Sequence, residues 1–150
     1  MTRTLLISNA ASGGSDEKIV QDIVSFLQEK GPTTHVAPES LDDFDEEVSA
    51  AAHGADLVVV AGGDGTLNCT INALSDSWER LVFGLVPMGT GNDLARTFEL
   101  PTDPADAVRV ALSGTERPLD VCRASGSGVE RYFVNASIGG FPVQVSDGVD

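Results

Sequence analysis

Apolar positions along the chain follow two alternating patterns. Leu5-Leu6-Ile7 is a short unbroken run. After a polar, glycine-containing stretch from Asn9 to Gly14, the residues Ile19, Ile23, Phe26 and Leu27 recur at the spacing of one helix face. This predicts strand, glycine loop, helix. Gly31-Pro32 ends that helix, and Thr33 to Ala37 predicts a second strand. A second helix is predicted from Leu41 to His53; its acidic run, Asp42 to Glu47, suits an amino-terminal turn and a solvated face. Asp56 to Ala61 is an unbroken β-branched run, as in a strand covered on both faces of a parallel sheet. Leu67, Ile71 and Leu74 then predict a helix, Leu81 to Val86 a fourth buried strand, Leu94 and Phe98 a short helix, and Ala105 to Leu112 another. Strands alternating with helices through short connections predict an α/β domain wound around a mostly parallel sheet.

From Gly114 the pattern changes. Leu119 to Arg123, then Gly126-Ser127-Gly128, then Tyr132 to Asn135 predicts an antiparallel hairpin. The expected division is an α/β lobe over residues 1–118 and the first strands of an incomplete β lobe over residues 119–150.

Three of the four strand ends open onto segments of Gly, Asn, Ser, Thr and Asp: Asn9 to Gly14, Gly62 to Thr66, and Gly89 to Asp93. Ligands of open α/β sheets sit beyond the carboxyl ends of the strands, so these segments are expected to converge. Glycine allows close approach of backbone N–H groups to a phosphate, and each segment precedes a helix whose amino terminus favours an anion. The dinucleotide fingerprint G-x-G-x-x-G fails after Gly65, and no lysine follows a glycine cluster as a Walker A loop requires. Ser15 to Lys18 matches S-x-x-K without its partner motifs, so Ser15 is expected to cap the first helix. Asp64 is the unusual member, because a carboxylate among phosphate-cradling glycines repels the ligand. It could act through Mg²⁺, act as a general base on an attacking hydroxyl, or satisfy loop amides. Asp93 reads as a cap or first-turn residue.

Composition narrows the partners. Nine Lys and Arg against 23 Asp and Glu give a net charge of −14, with Lys18 and Lys30 the only lysines, which excludes a phosphate-backbone footprint for nucleic acid. The chain is 41% hydrophobic, enough for a globular core, and 5% aromatic, so that core is mostly aliphatic. Cys69 and Cys122 form no metal-ligand or disulfide pattern, and no apolar run is long enough for a signal peptide or a membrane span. A reduced, cytoplasmic setting is expected, with at most peripheral membrane contact.

Taken together, Gly62-Gly63-Asp64-Gly65-Thr66-Leu67-Asn68 after an apolar strand and the later Pro87-Met88-Gly89-Thr90-Gly91-Asn92-Asp93-Leu94-Ala95-Arg96 resemble the catalytic domain of diacylglycerol-kinase-type lipid kinases, related to sphingosine kinases. The first motif alone is shared with NAD kinases and resembles one in phosphofructokinases. Asn9 and Ser12-Gly13 resemble the family's Asn-Pro-x-Ser-Gly loop, with Ala10 in place of proline. Asp120-Val121, Tyr132 to Asn135 and Gly139-Gly140-Phe141 look like the crossing into its second lobe. The resemblance implies a Rossmann-like, phosphofructokinase-like three-layer nucleotide-binding lobe followed by a β-sandwich lobe, with the active site in the cleft between them. It implies ATP as donor with Mg²⁺, a lipid alcohol as acceptor, nucleotide contacts from Asn9, Ala10, Ala11, Ser12, Gly13, Gly62 to Asn68, Gly89 and Thr90, and Asp64 as the catalytic candidate. The threonine such proteins usually carry after the second strand is replaced here by Pro38, Glu39 and Ser40. A non-catalytic nucleotide-binding module and an NAD kinase are the alternatives.

Overall fold

The computed structural model describes residues 1–9 and 14–134. Four strands, β1 (Thr4–Ser8), β2 (Thr33–Val36), β3 (Leu57–Gly62) and β4 (Val82–Pro87), form one sheet in the order β2-β1-β3-β4, and every neighbouring pair is parallel. The unbroken apolar runs are the central strands: every residue of β1 and β3 is buried. Successive side chains alternate between the two faces. Leu5, Ile7, Val58 and Val60 pack with α2 (Leu41–Ala51), α3 (Asp64–Ala73) and α4 (Asp93–Thr97), whereas Leu6, Leu57, Val59 and Ala61 pack with α1 (Gly14–Lys30) and α5 (Pro104–Ser113). The result is the expected three-layer α/β arrangement around a parallel sheet.

Several of the acidic residues stand at helix amino termini. Ser40 caps α2, its Oγ accepting from the Asp43 N–H at 3.2 Å, with Asp42 and Asp43 in the first turn as the sequence suggested. Asp103 caps α5 in the same way, ahead of Pro104, accepting from the Asp106 N–H at 3.0 Å. Helix α1 begins at Gly14, so Ser15 lies inside its first turn rather than ahead of it. A 3₁₀ turn over Trp78–Arg80, absent from the hydrophobic pattern, leads into β4.

The hairpin is present and shorter than expected. Strands β5 (Cys122–Gly126) and β6 (Val129–Phe133) pair antiparallel across Ser127-Gly128, whose φ values of +50° and +79° give the left-handed turn that matches strand twist. The first strand starts at Cys122 and not at Leu119. Ala10, Ala11, Ser12 and Gly13, and Asn135 with Gly139-Gly140-Phe141, lie outside the described residues. Among the described residues, no helix is long and apolar enough to cross a membrane.

Strand β4 approaches α5 closely enough that Gly84 has no room for a side chain: a Cβ there would lie 2.5 Å from the Ala111 Cβ. Gly84→Ala is expected to destabilise the domain by about 1–3 kcal/mol through overpacking. Urea unfolding of the single variant and of Gly84→Ala with Ala111→Gly checks this, with partial recovery expected in the pair.

Candidate functional site

Three adjacent strands end together. The register pairs Ser8 with Ala61 and Gly62 with Pro87, so Asn9 after β1, Gly63 after β3 and Met88-Gly89 after β4 emerge at one carboxyl edge of the sheet. The Met88 N–H extends the ladder to the Gly62 carbonyl at 3.0 Å. Strand β2 lies at the far edge of the sheet and carries Pro38 to Ser40 away from β3 and β4.

The glycine segment is mostly helix. Gly62 is the last residue of β3, Gly63 is the N-cap of α3, and Asp64, Gly65, Thr66, Leu67 and Asn68 form its first turns. Asp64 is therefore the first helical residue, not the middle of a loop. Leu67 is committed to the core: its side chain is buried and its N–H donates to the Gly63 carbonyl at 3.1 Å. The N–H groups of Asp64, Gly65 and Thr66 precede the first intrahelical bond and point out of the helix end, where an anion is favoured.

Two of the glycines serve a backbone crossing. A Cβ on Gly89 would lie 2.5 Å from the Gly63 Cα, and one on Gly63 would lie 3.0 Å from the Gly89 Cα. Gly62 leaves room instead for the Thr66 side chain, whose Oγ1 would stand 2.8 Å from an added Cβ. Gly65 differs from all of these, since a Cβ there would meet no atom of the described residues within 4 Å beyond its own chain neighbours and helix backbone. Packing among the described residues does not require glycine at Gly65, and open space above a helix amino terminus is what a phosphate-bearing ligand would use.

Asp64 joins the two motifs. Its Oδ2 accepts from the Asp93 N–H at 3.0 Å and its Oδ1 from the Leu94 N–H at 3.4 Å, so it caps α4 from outside that helix. Asn92, the N-cap of α4, cannot do this. It sits at φ +54° with its carboxamide turned back on Gly89, accepting from the Gly89 N–H at 3.0 Å and donating to the Gly89 carbonyl. Asp93, expected as a cap or first-turn residue, is in the first turn. Of the three roles open to Asp64, satisfying amides is the one the geometry displays. Each carboxylate oxygen keeps further acceptor capacity.

Thr90 is exposed on the turn between Gly89 and Asn92, and Asn9 is exposed at the end of β1. Behind Asn9, the buried Ser8 hydroxyl lies 2.9 Å from His35 Nε2 on β2, and burial lowers the pKa of that imidazole. Sequence reasoning placed Gly91 and Asn92 in a converging segment without a role for Asn92, and gave none to the Ser8–His35 pair behind Asn9. An Asn flanked by Gly and Asp ahead of a helix was the available signal for Asn92, because Asn tolerates the left-handed region.

Among the described residues no group of three or more His, Cys, Asp or Glu side chains could hold a metal. Mg²⁺ fits this site only as an ion carried mainly by phosphates, with Asp64 as the nearby carboxylate, which is its usual mode. A hollow of about 680 Å³ runs along β4 and is lined by apolar residues such as Ile71, Phe83, Leu85 and Phe98. It shares only Leu67 with the glycine segments, so it is not the phosphate site.

Comparison with known proteins agrees with this geometry. The model of the diacylglycerol kinase catalytic domain matches residues 3–124. A diacylglycerol kinase of Staphylococcus saprophyticus is 35% identical over 147 residues, covering 96% of this chain and 47% of that protein. A protein of Stenotrophomonas maltophilia named "Probable lipid kinase YegS-like" is 34% identical over 150 residues, covering 96% and 48%. Among solved structures, a diacylglycerol kinase from Bacillus anthracis superposes with a TM-score of 0.69 at 29% identity, over 79% of this chain and 42% of that one. The chain thus spans about half the length of the relatives it matches.

Asp64→Ala removes both acceptors from the first turn of α4, and a loss of about 1 kcal/mol is expected, the usual cost of a lost helix cap. Faster amide exchange at Asp93 and Leu94, ahead of the sheet amides, is the specific readout. A second expectation concerns His35. Its lowered pKa means the unfolded chain binds the proton more readily, so this contribution to stability is complete above pH 6.5 and is lost as the pH falls below it. Thermal melts of His35→Gln should lack that part of the acid-side decline.

Proposed function

The chain belongs to the diacylglycerol kinase catalytic domain family, and from that premise we propose that it is the ATP-binding lobe of a lipid kinase, moving the γ-phosphoryl group of ATP onto a lipid hydroxyl with Mg²⁺. The observation that carries this reading is the apposition of the α3 amino terminus and the Gly89-Thr90 turn, fixed by Asp64, at the carboxyl edge of three adjacent strands.

The N–H groups of Asp64, Gly65 and Thr66, which have no partner within the helix, would receive phosphate oxygens, with Gly65 leaving space for their approach. Gly89 and Thr90 would border the phosphates from the β4 side. Asn9 and residues 10–13, with Ser12 and Gly13, would border them from the β1 side. Neither lysine lies in these segments, so charge developing in the transfer falls to oriented amides. Bound Mg²⁺ would neutralise the phosphate oxygens. Asp64 is the carboxylate nearest the transferring group, where it would orient the attacking lipid hydroxyl or hold the ion while keeping α4 in place. We assign residues 1–118 to this lobe and 119–150 to the start of the lobe that meets the lipid. The protein would work in the cytoplasm and touch its membrane only peripherally.

The family match favours a lipid acceptor over NAD, which the Gly62 to Asn68 motif alone would allow. A non-catalytic nucleotide module is the second reading, favoured by the Asp64 carboxylate, which is already engaged by the Asp93 and Leu94 N–H groups.

Calorimetry with MgATP and a turnover assay offering lipid alcohols beside NAD separate these. Binding with lipid turnover is expected; binding without turnover favours the module, and NAD phosphorylation overturns the lipid reading. Gly65→Leu is expected to weaken ATP binding at least tenfold with little loss of stability, because no described residue outside its own helix and chain neighbours contacts the added Cβ and Leu is the better helix former. Asp64→Asn is expected to abolish turnover, and an unchanged rate would remove Asp64 from that role.

A further inference from the structure

Helix α3 carries the candidate phosphate turn at one end and grips the hairpin with the other. Near its carboxyl end, the Asn72 carboxamide pairs with both backbone polar groups of Tyr132 on β6: Oδ1 accepts from the Tyr132 N–H at 3.0 Å, and Nδ2 donates to the Tyr132 carbonyl at 2.8 Å. One side chain thereby imitates a strand neighbour. Nδ2 also donates to the Asn68 carbonyl at 2.8 Å, one turn back along α3, so the carboxamide is held from both sides.

The ring of Tyr132 is held as well. Trp78 meets it edge to face, with centroids 4.6 Å apart and planes at 88°, and Trp78 Nε1 donates to the Ile71 carbonyl of α3 at 2.9 Å. Elsewhere the hairpin bonds mainly to itself. β5 is exposed throughout, the Arg123–Glu130 ion pair lies within the hairpin, and the Tyr132 hydroxyl donates to Glu130. Among the described residues, its attachment to the α/β layers consists of the contact with α3, the Trp78 ring against Tyr132, and apolar contacts of Val121 and Val134 with the core.

We infer that Asn72 is a positioning residue: by clasping Tyr132, it fixes the direction of the outgoing strand relative to the phosphate turn eight residues earlier on the same helix. This rests on the reading that ATP binds at that turn. A straight helix spanning eight residues separates the two ends by about 12 Å, and the apolar contacts of Val121 and Val134 are non-directional. The two hydrogen bonds supply the missing orientation. Asn72 would thus align the donor nucleotide with whatever the following polypeptide presents to it.

The chain has one tryptophan and one tyrosine, so Trp78 emission and near-ultraviolet circular dichroism above the phenylalanine bands report this contact. In Asn72→Ala, amide exchange at Tyr132 should quicken at least tenfold and the near-ultraviolet signal should collapse. Amides paired between β5 and β6, the far-ultraviolet spectrum and MgATP affinity should stay within twofold of wild type. Asn72→Gln keeps the carboxamide on a longer arm that cannot hold both groups of Tyr132 in the same geometry; it should fall between the two, and it serves if the alanine variant does not fold. Unchanged Tyr132 exchange and Trp78 signal would overturn the inference, showing that Val121 and Val134 suffice. MgATP affinity falling in step with the Tyr132 signals would also overturn it, since Asn72 would then be supporting the phosphate turn itself. A wild-type chain that binds no MgATP overturns the nucleotide reading, a result the Tyr132 measurements do not depend on.

Discussion

The site is built on a crossing of two backbones at Gly63 and Gly89, close enough that a methyl group on Gly89 would stand 2.5 Å from the opposing Cα. Such an approach brings the amino terminus of α3 and the turn after β4 side by side. It also creates a difficulty, because α4 starts at that turn with a left-handed Asn92 whose side chain is already bonded to Gly89. The N–H groups of Asp93 and Leu94 then need an acceptor from elsewhere, and Asp64 is the group the crossing brings within reach. Glycine spacing, the Asn92 conformation and the Asp64 carboxylate are one solution to a single packing problem.

This explains which parts were legible in the sequence. Leu5 to Ile7 and Leu57 to Ala61 announced buried parallel strands because both sheet faces are covered, and periodic apolar residues announced α1, α2 and α5 for the same reason. The convergence of the strand ends followed from general α/β topology. The role Asp64 displays did not follow, because it depends on two N–H groups about thirty residues away whose need for an acceptor arises only from the Asn92 conformation. The glycines looked alike in sequence and differ in structure: Gly63 and Gly89 serve the crossing, Gly62 makes room for Thr66, and Gly65 faces open space. Periodicity likewise could not reveal Asn72, since nothing local connects a polar residue near a helix end with the backbone of Tyr132.

The acidic balance of −14 acquires a physical division of labour. Asp42, Asp43, Asp103 and Asp106 stand at helix amino termini, where carboxylates are stabilised by unbonded N–H groups. Asp64 occupies the first position of α3 and turns its oxygens toward α4. A carboxylate directed at one helix is thereby kept from neutralising the amino terminus of its own, which leaves the N–H groups of Asp64, Gly65 and Thr66 for an anion. An acidic chain with two lysines can present a phosphate-binding surface in this way, through backbone dipoles instead of side-chain cations.

The same economy of elements makes α3 the centre of the lobe. Its amino terminus faces the strand ends, its buried face holds Leu67 and Ile71 in the core, and two carbonyls of its last turn accept from side chains of other elements, Ile71 from Trp78 Nε1 and Ala73 from Ser49 Oγ, both at 2.9 Å, while its own Asn72 reaches out to Tyr132. Carbonyls at a helix end have no intrahelical partner, so these contacts both satisfy them and lock the helix against rotation. A helix fixed at both ends is a rigid ruler between the groups it presents. Catalysis of phosphoryl transfer rests on holding donor and acceptor in line, and a displacement of about 1 Å is enough to lose much of the rate. If the donor binds at one end of this helix as proposed, the anchoring of the outgoing strand at the other would supply the alignment that the reaction needs.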